Sequence, residues 1–68
     1  MRYKKFFIDV KPRSLRDSSE WTTHFALYYD HGTRMEPIAN IHMGNMCKTE
    51  EEATNAGIRE AMRLADQQ

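Results

Sequence analysis

Residues 47–53, Cys-Lys-Thr-Glu-Glu-Glu-Ala, constrain the fold of this chain most, because they mark the start of a helix after several strand-like segments. Thr49, followed three residues later by Glu52, is a capping box: the threonine oxygen accepts the N–H of Glu52, and the Glu52 carboxylate accepts the N–H of Thr49. Glutamates then fill residues 50–52, in the first turn, where the helix dipole favours negative charge. The sequence therefore predicts strands first and one C-terminal helix over about residues 50–66.

Alternating patterns predict three strands before this helix. The first covers residues 3–10 and ends before Pro12, which has no N–H to donate to a ladder. The second covers residues 21–30, and the third covers residues 38–43. The connections are a polar segment at residues 13–20, a turn at residues 30–33 and a loop at residues 44–48.

The same alternation predicts which residues form the core. In the first two strands the buried face carries Phe6, Ile8, Val10, Trp21, Thr23, Phe25, Leu27 and Tyr29. In the third strand the pattern leaves open which face is buried. One face carries Ala39, Ile41 and Met43, and the other carries Ile38, Asn40 and His42.

The helix has one apolar side made mostly of small residues. Its members are Ala53, Gly57, Ile58, Ala61, Leu64 and Ala65. Gly57 costs a helix roughly 1 kcal/mol relative to alanine, so its presence indicates that the helix axis approaches the sheet closely. We expect Gly57 and Ala61 to lie over Phe25 and Leu27. The predicted fold is α+β, a three-stranded antiparallel meander covered on one face by a single C-terminal helix, in one domain over residues 1–68.

Size and charge restrict the functions open to such a domain. A single core of this length typically supplies about 3 to 5 kcal/mol unless something reinforces it, and the single cysteine, Cys47, cannot form an internal disulfide. Self-association remains as a source of stability. Ten basic and ten acidic residues cancel, which disfavours a general nucleic-acid binder while leaving room for a local basic patch.

No targeting signal is recognised in the sequence. The apolar run at residues 6–8 is too short for a signal peptide, and no stretch approaches the roughly 20 apolar residues of a membrane span. With one cysteine, we expect a reducing cytoplasm and no membrane partner. Cys47 itself is expected to be a passive, partly buried packing residue.

Strand and helix motifs together resemble a group of small bacterial proteins of unassigned function, in which a three-stranded antiparallel sheet carries one helix. The resemblance covers nearly the whole chain. The residues that carry it are Trp21, the strand through Tyr29, and Thr49, Glu51, Glu52, Ala53, Gly57 and Ala61. It implies the same sheet-and-helix fold.

The arrangement is also similar to the sheet and last helix of double-stranded-RNA-binding domains, and to the N-terminal part of HicB-type antitoxins. The RNA-binding domain has a first helix that this chain lacks, and a basic cluster where this chain has glutamates at residues 50–52. Those carboxylates would repel phosphate. RNA binding is therefore not carried over from this resemblance.

One helix covers only one face of a three-stranded sheet, so the opposite face meets water or another chain. The candidate interaction face carries Lys5, Phe7, His24, Ala26 and Tyr28. Ile38, Asn40 and His42 belong to it if their side of the third strand is the open one. We interpret this face first as a surface for self-association or for a protein partner, which binds through the sheet face or edge. The alternatives are an exposed sheet without a specific role, and a small nucleic-acid-binding or toxin-antitoxin-type regulator that stacks bases on its aromatics.

Catalytic and metal sites are not indicated by the sequence. His24 and His42 supply two imidazoles across the sheet without an evident third ligand, whereas zinc normally requires three or four. Paired carboxylates, a nucleophile with its base, and a phosphate loop are not recognisable. We therefore predict a non-enzyme without cofactor or metal.

Overall fold

The computed structural model describes residues 1–16 and 19–68, the side chain of Asn45 excepted. An antiparallel sheet and one C-terminal helix confirm the predicted α+β fold, although the described sheet has four strands, not three. The strands lie side by side in chain order, and the helix follows them. They are β1 (Arg2–Tyr3), β2 (Phe6–Ser14), β3 (Trp21–Asp30), β4 (Met35–Cys47) and α1 (Glu50–Asp66).

A turn at Lys4 and Lys5 divides the predicted first strand in two. Lys4 has a φ of 55°, in the left-handed region, and there the chain reverses. Arg2 consequently pairs with Phe7, and Tyr3 pairs with Phe6. The additional short strand protects the first part of the outer edge of β2.

Pro12 does not end strand β2, contrary to the sequence prediction. The strand continues to Ser14, with Pro12 opposite Thr23. Because β1 pairs only with the first two residues of β2, Pro12 lies on a sheet edge, where a backbone N–H is not needed. The predicted connection is correspondingly shorter, and its residues 17–18 lie outside the described part of the chain.

Strand β4 extends beyond the predicted residues 38–43 at both ends. Residues 44–47, predicted as a loop, belong to the strand, which pairs with β3 as far as Cys47. The register shifts once beside Pro37 and again near the end of the strand. Bulges at these shifts let an edge strand contain a proline and still remain paired.

The core lies between α1 and the adjacent side of the sheet. Phe25 and Leu27 are fully buried and Ile8 is 1% exposed, as the alternation predicts. On β4 the residues packed against this core are Ile38, Ala39, Ile41 and Met43, all half-buried. The buried face of the third predicted strand is therefore that of Ala39, Ile41 and Met43. Ile38, whose face the sequence pattern left open, joins this buried face beside the neighbouring bulge.

Gly57 lies where the helix comes closest to the sheet. A β-carbon built on Gly57 would be 2.9 Å from Thr23 Oγ1 and 2.9 Å from Val10 Cγ1. The predicted close approach is confirmed, but the residues beneath Gly57 are Val10 and Thr23, not the predicted Phe25 and Leu27. Ala61, in contrast, is buried in the cluster that contains Phe25 and Leu27.

The helix begins with the predicted threonine cap. Thr49 Oγ1 accepts a hydrogen bond from the Glu52 N–H at 3.0 Å. The Glu52 carboxylate returns to the N–H of Lys48 at 3.1 Å, one residue earlier than the capping box predicts. Together these two hydrogen bonds hold the start of the helix against the end of β4.

The last turn of the helix is attached to the β1–β2 turn. Asp66 Oδ1 accepts hydrogen bonds from Lys4 Nζ at 2.8 Å and from the Tyr3 hydroxyl at 2.9 Å. The hydrogen bond from Lys4, and to a smaller extent the one from Tyr3, holds the pKa of the Asp66 carboxyl below its usual range. The pKa of the Lys4 ammonium is raised, mainly by its hydrogen bond to Asp66. Chain segments 62 or more residues apart are thereby joined.

Candidate functional site: the open face and edge of the sheet

The face of the sheet opposite α1, called the open face below, is built by alternate residues of three strands. The strand register places Phe7 opposite Tyr28, Lys11 opposite His24, and His24 opposite His42. The open face is defined here by its side chains in β2, β3 and β4. They are Phe7, Asp9, Lys11 and Arg13, then Thr22, His24, Ala26 and Tyr28, then Met35, Pro37, Asn40 and His42.

Lys5, which the sequence placed on this face, lies in the turn at its end. It occupies the turn between β1 and β2 and lines a shallow depression with Arg2, Asp30 and His31. The Gly32 N–H, and then Arg2, hold the pKa of the Asp30 carboxyl below its usual range. This end of the sheet is a hydrogen-bonded turn, with Arg2 bonded to Asp30 at 2.6 Å.

One end of the open face is apolar. Phe7 is 37% exposed and Met35 is 44% exposed. Together with Tyr28 and Asp9 they line a depression of about 310 Å³. An aromatic pair beside a flexible methionine offers apolar area for contact with another molecule.

The other end of the open face is polar and basic. Nε2 of His24 is hydrogen-bonded to Oδ1 of Asn40, so the ring donates from Nε2 to an amide oxygen, which only accepts. The rings of His24 and His42 have centroids 6.4 Å apart and are tilted by 36°. The two histidines predicted to be neighbours are therefore brought together.

A depression of about 340 Å³ accompanies these histidines. Lys11 and Arg13 line it with His24 and His42. Lys11 Nζ lies 3.7 Å from Asp9 Oδ2, so part of the local positive charge is neutralised. The arrangement offers cationic and hydrogen-bonding groups to an anion at the surface.

The middle strand of the open face is already shielded from water. Ala26 is 7% exposed and Thr22 is 6% exposed, although neither faces the helix. In the strand register Ala26 lies between Asp9 and Asn40, and Thr22 lies opposite Arg13. A partner on this face would therefore contact mainly the aromatic end and the side chains of β2 and β4.

Metal-binding geometry is not found in the described part of the chain. No three side chains among its His, Cys, Asp and Glu residues converge on one point. Cys47 is half-buried at the end of β4, opposite Trp21. Within residues 1–16 and 19–68, no helix has the length and apolarity needed to cross a membrane.

The free edge of β4 is the feature that sequence reasoning missed. β4, the last strand of the described sheet, is 13 residues long, whereas only residues 38–43 were predicted to be extended. A signal was present in the sequence: residues 37–47 contain no Asp, Glu, Lys or Arg. A charge-free run of this kind is typical of a paired strand, since exposed edges usually carry charge.

Comparison with protein-family models, curated proteins and solved structures finds no match to this chain. The resemblance to small bacterial sheet-and-helix proteins therefore stays a prediction.

Proposed function

We propose that this protein is a non-catalytic interaction module that binds another protein chain, most simply a second copy of itself, through the uncovered part of its sheet. The observation that carries this proposal is the incomplete cover of the sheet: α1 packs on one face only, and β4 ends the sheet with its outer edge unpaired among the described residues. Two surfaces meet this description, the open face and the β4 edge.

Composition supports a protein partner. The chain carries no net charge, so it has no long-range field to attract a polyanion. Exposed apolar side chains, Phe7 and Met35, lie together at one end of the open face. Clusters of this kind, with a polar rim, are typical of protein contacts.

Solution mass measured over a concentration series tests the proposal. We expect the mass to rise from the 8.0 kDa of one chain toward twice that value. The variant F7E/Y28E removes the apolar end of the open face, and K5E serves as its control, because it changes the net charge equally at an exposed turn. A parent that stays monomeric at every concentration would refute self-association.

The variants also separate the two surfaces. If F7E/Y28E stays folded and monomeric while K5E associates, the contact lies on the open face. If both variants associate as the parent does, the contact lies at the edge of β4. Circular dichroism of each variant checks that the fold is intact.

A nucleic-acid-binding function is the second candidate, favoured by the basic end of the open face. Lys11, Arg13, His24 and His42 lie around one depression, and phosphate contacts from such groups weaken as salt is added. Salt-sensitive binding of short single-stranded oligonucleotides, lost in K11E, would support this candidate. If these oligonucleotides do not bind even at low salt, the nucleic-acid-binding function is excluded.

A further inference from the structure

We infer that β4 joins β4 of a second copy, edge to edge, in an antiparallel pairing centred on Ile41. The inference rests on the proposed function and specifies its partner and its contact. Edge strands present rows of unpaired N–H and C=O groups that pair readily with another strand. In this protein β4 is such a strand, with 13 residues and no strand beyond it in the described sheet.

The two edges of the sheet differ in how they are guarded. The outer side of β2 carries Lys11, Pro12 and Arg13, and its first residues are paired with β1. Lysine, proline, β-bulges and short covering strands all oppose edge pairing. β4 has two bulges, but residues 39–43 between them pair regularly. By contrast, residues 37–47 of β4 carry no charged side chain, and Pro37 lies at the start of that run. Pairing at β4 alone gives a closed dimer and not a filament.

The bulges of β4 restrict the register. Between them, residues 39–43 pair regularly with β3. A two-fold axis through the edge beside Ile41 places Ile41 opposite its counterpart, residue 39 opposite residue 43, and residue 40 opposite residue 42. A centre at residue 40 or 42 would also match the faces, but it would carry the pairing into a bulge on one side.

In this register the strand is complementary to itself. On the helix side, Ile41 meets Ile41, and Ala39 meets Met43, so all contacts are apolar. On the open side, Asn40 meets His42, an amide opposite an imidazole. Cross-strand pairs of these kinds stabilise a sheet, and no like charges are opposed.

Incomplete cover by the helix supplies the driving force. Helix α1 packs mainly on β2 and β3 and touches β4 less. As a result, Ile38, Ile41 and Met43 remain half-buried although they belong to the core layer. An antiparallel edge pairing places both helices on the same face of one continuous sheet, where these apolar side chains of the two copies adjoin and exclude water.

Charge variants at the open side of the seam test the register. N40K/H42K opposes lysine to lysine twice, and we expect dimerisation to weaken roughly tenfold because like charges directly opposite each other destabilise a strand pair. N40E/H42K opposes glutamate to lysine in the same register and should restore the parent dimer. Both positions are exposed, so each variant should keep the circular dichroism spectrum of the folded parent.

Disulfide trapping tests the same register independently of affinity. In a C47S background, chains carrying N40C are mixed with differently tagged chains carrying H42C and oxidised. Directly opposed positions fall within disulfide reach, whereas diagonal positions are about 7 to 8 Å apart. We expect a mixed N40C–H42C disulfide and little cross-linking of either variant alone.

The outcomes separate this inference from the proposed function. A parent that never associates overturns both. A parent that associates, with F7E/Y28E abolishing the dimer and N40K/H42K leaving it unchanged, retains self-association and overturns the edge pairing. Cross-linking of N40C alone, or of H42C alone, places the centre elsewhere and overturns the register.

Discussion

Replacing Gly57 tests how closely α1 lies against the sheet. In an open helix position, alanine is more favourable than glycine by about 1 kcal/mol. At Gly57 a β-carbon would lie 2.9 Å from both Thr23 Oγ1 and Val10 Cγ1, closer than van der Waals contact allows. Both neighbours are β-branched and restricted about χ1, so relief requires the helix or the strands to move.

The expected magnitude follows from these opposing effects. Overpacking typically costs about 1 to 3 kcal/mol, and the propensity gain of about 1 kcal/mol offsets part of it. We therefore expect G57A to destabilise the protein by about 0 to 2 kcal/mol. G57L inserts a much larger side chain between helix and sheet and should cost more than about 3 kcal/mol, most of the stability expected for a core of this size.

Urea unfolding followed by the fluorescence of Trp21, the single tryptophan, measures both variants. Exposed Asn55 provides the matched control, since N55A and N55G compare alanine with glycine where no sheet residue is in the way. The difference there should be about 1 kcal/mol in favour of alanine. V10A should reduce the cost of G57A, because it removes one of the two obstructing groups.

Two results would refute this reasoning. One is that G57A is more stable than the parent by as much as N55A is more stable than N55G. The space above Val10 and Thr23 would then be larger than the geometry indicates. If G57L folds with the stability of the parent, Gly57 faces solvent and the helix is rotated about its axis.

Three further predictions concern single contacts. T23V should leave stability unchanged or raise it by about 1 kcal/mol, because the buried Thr23 hydroxyl has no hydrogen-bond partner among the described residues; a loss above that size in urea unfolding would reveal a bond this geometry lacks. T49A should cost about 1 kcal/mol by removing the helix cap, and equal urea midpoints would contradict the cap. In D66N the free energy of unfolding should fall less steeply as the pH is lowered. The pKa of Asp66 is lowered by Lys4, so its contribution is present above the ordinary carboxyl pKa of 3.8 and is lost as the pH falls through the lower folded-state value. Unchanged acid unfolding of D66N would contradict that contribution.

Local patterns determined the central elements of this protein. Alternating apolar residues located β3 at residues 21–30, and the Thr49 cap with its acidic turn located α1. The small side of the helix identified Gly57 as the point of closest approach. These features depend on side chains near one another in sequence, so a single chain is enough to recognise them.

Only the tertiary structure decided the extent of the sheet and its edges. Pro12 and Pro37 appeared to limit their strands, but each lies on an edge or at a bulge, where the missing N–H costs little. Whether a strand is an edge depends on which strands lie beside it, and Lys4 created an unexpected neighbour by reversing the chain.

The candidate site shows the same division. Alternation in sequence placed Phe7, Tyr28, His24 and His42 on one face, because side chains alternate along any strand. It could not separate the aromatic end from the basic end, since that depends on the register between strands. The unguarded edge of β4 likewise became visible only once β4 was seen as the last strand. Sequence determined which side chains share a face, and pairing between distant segments determined which surfaces remain free.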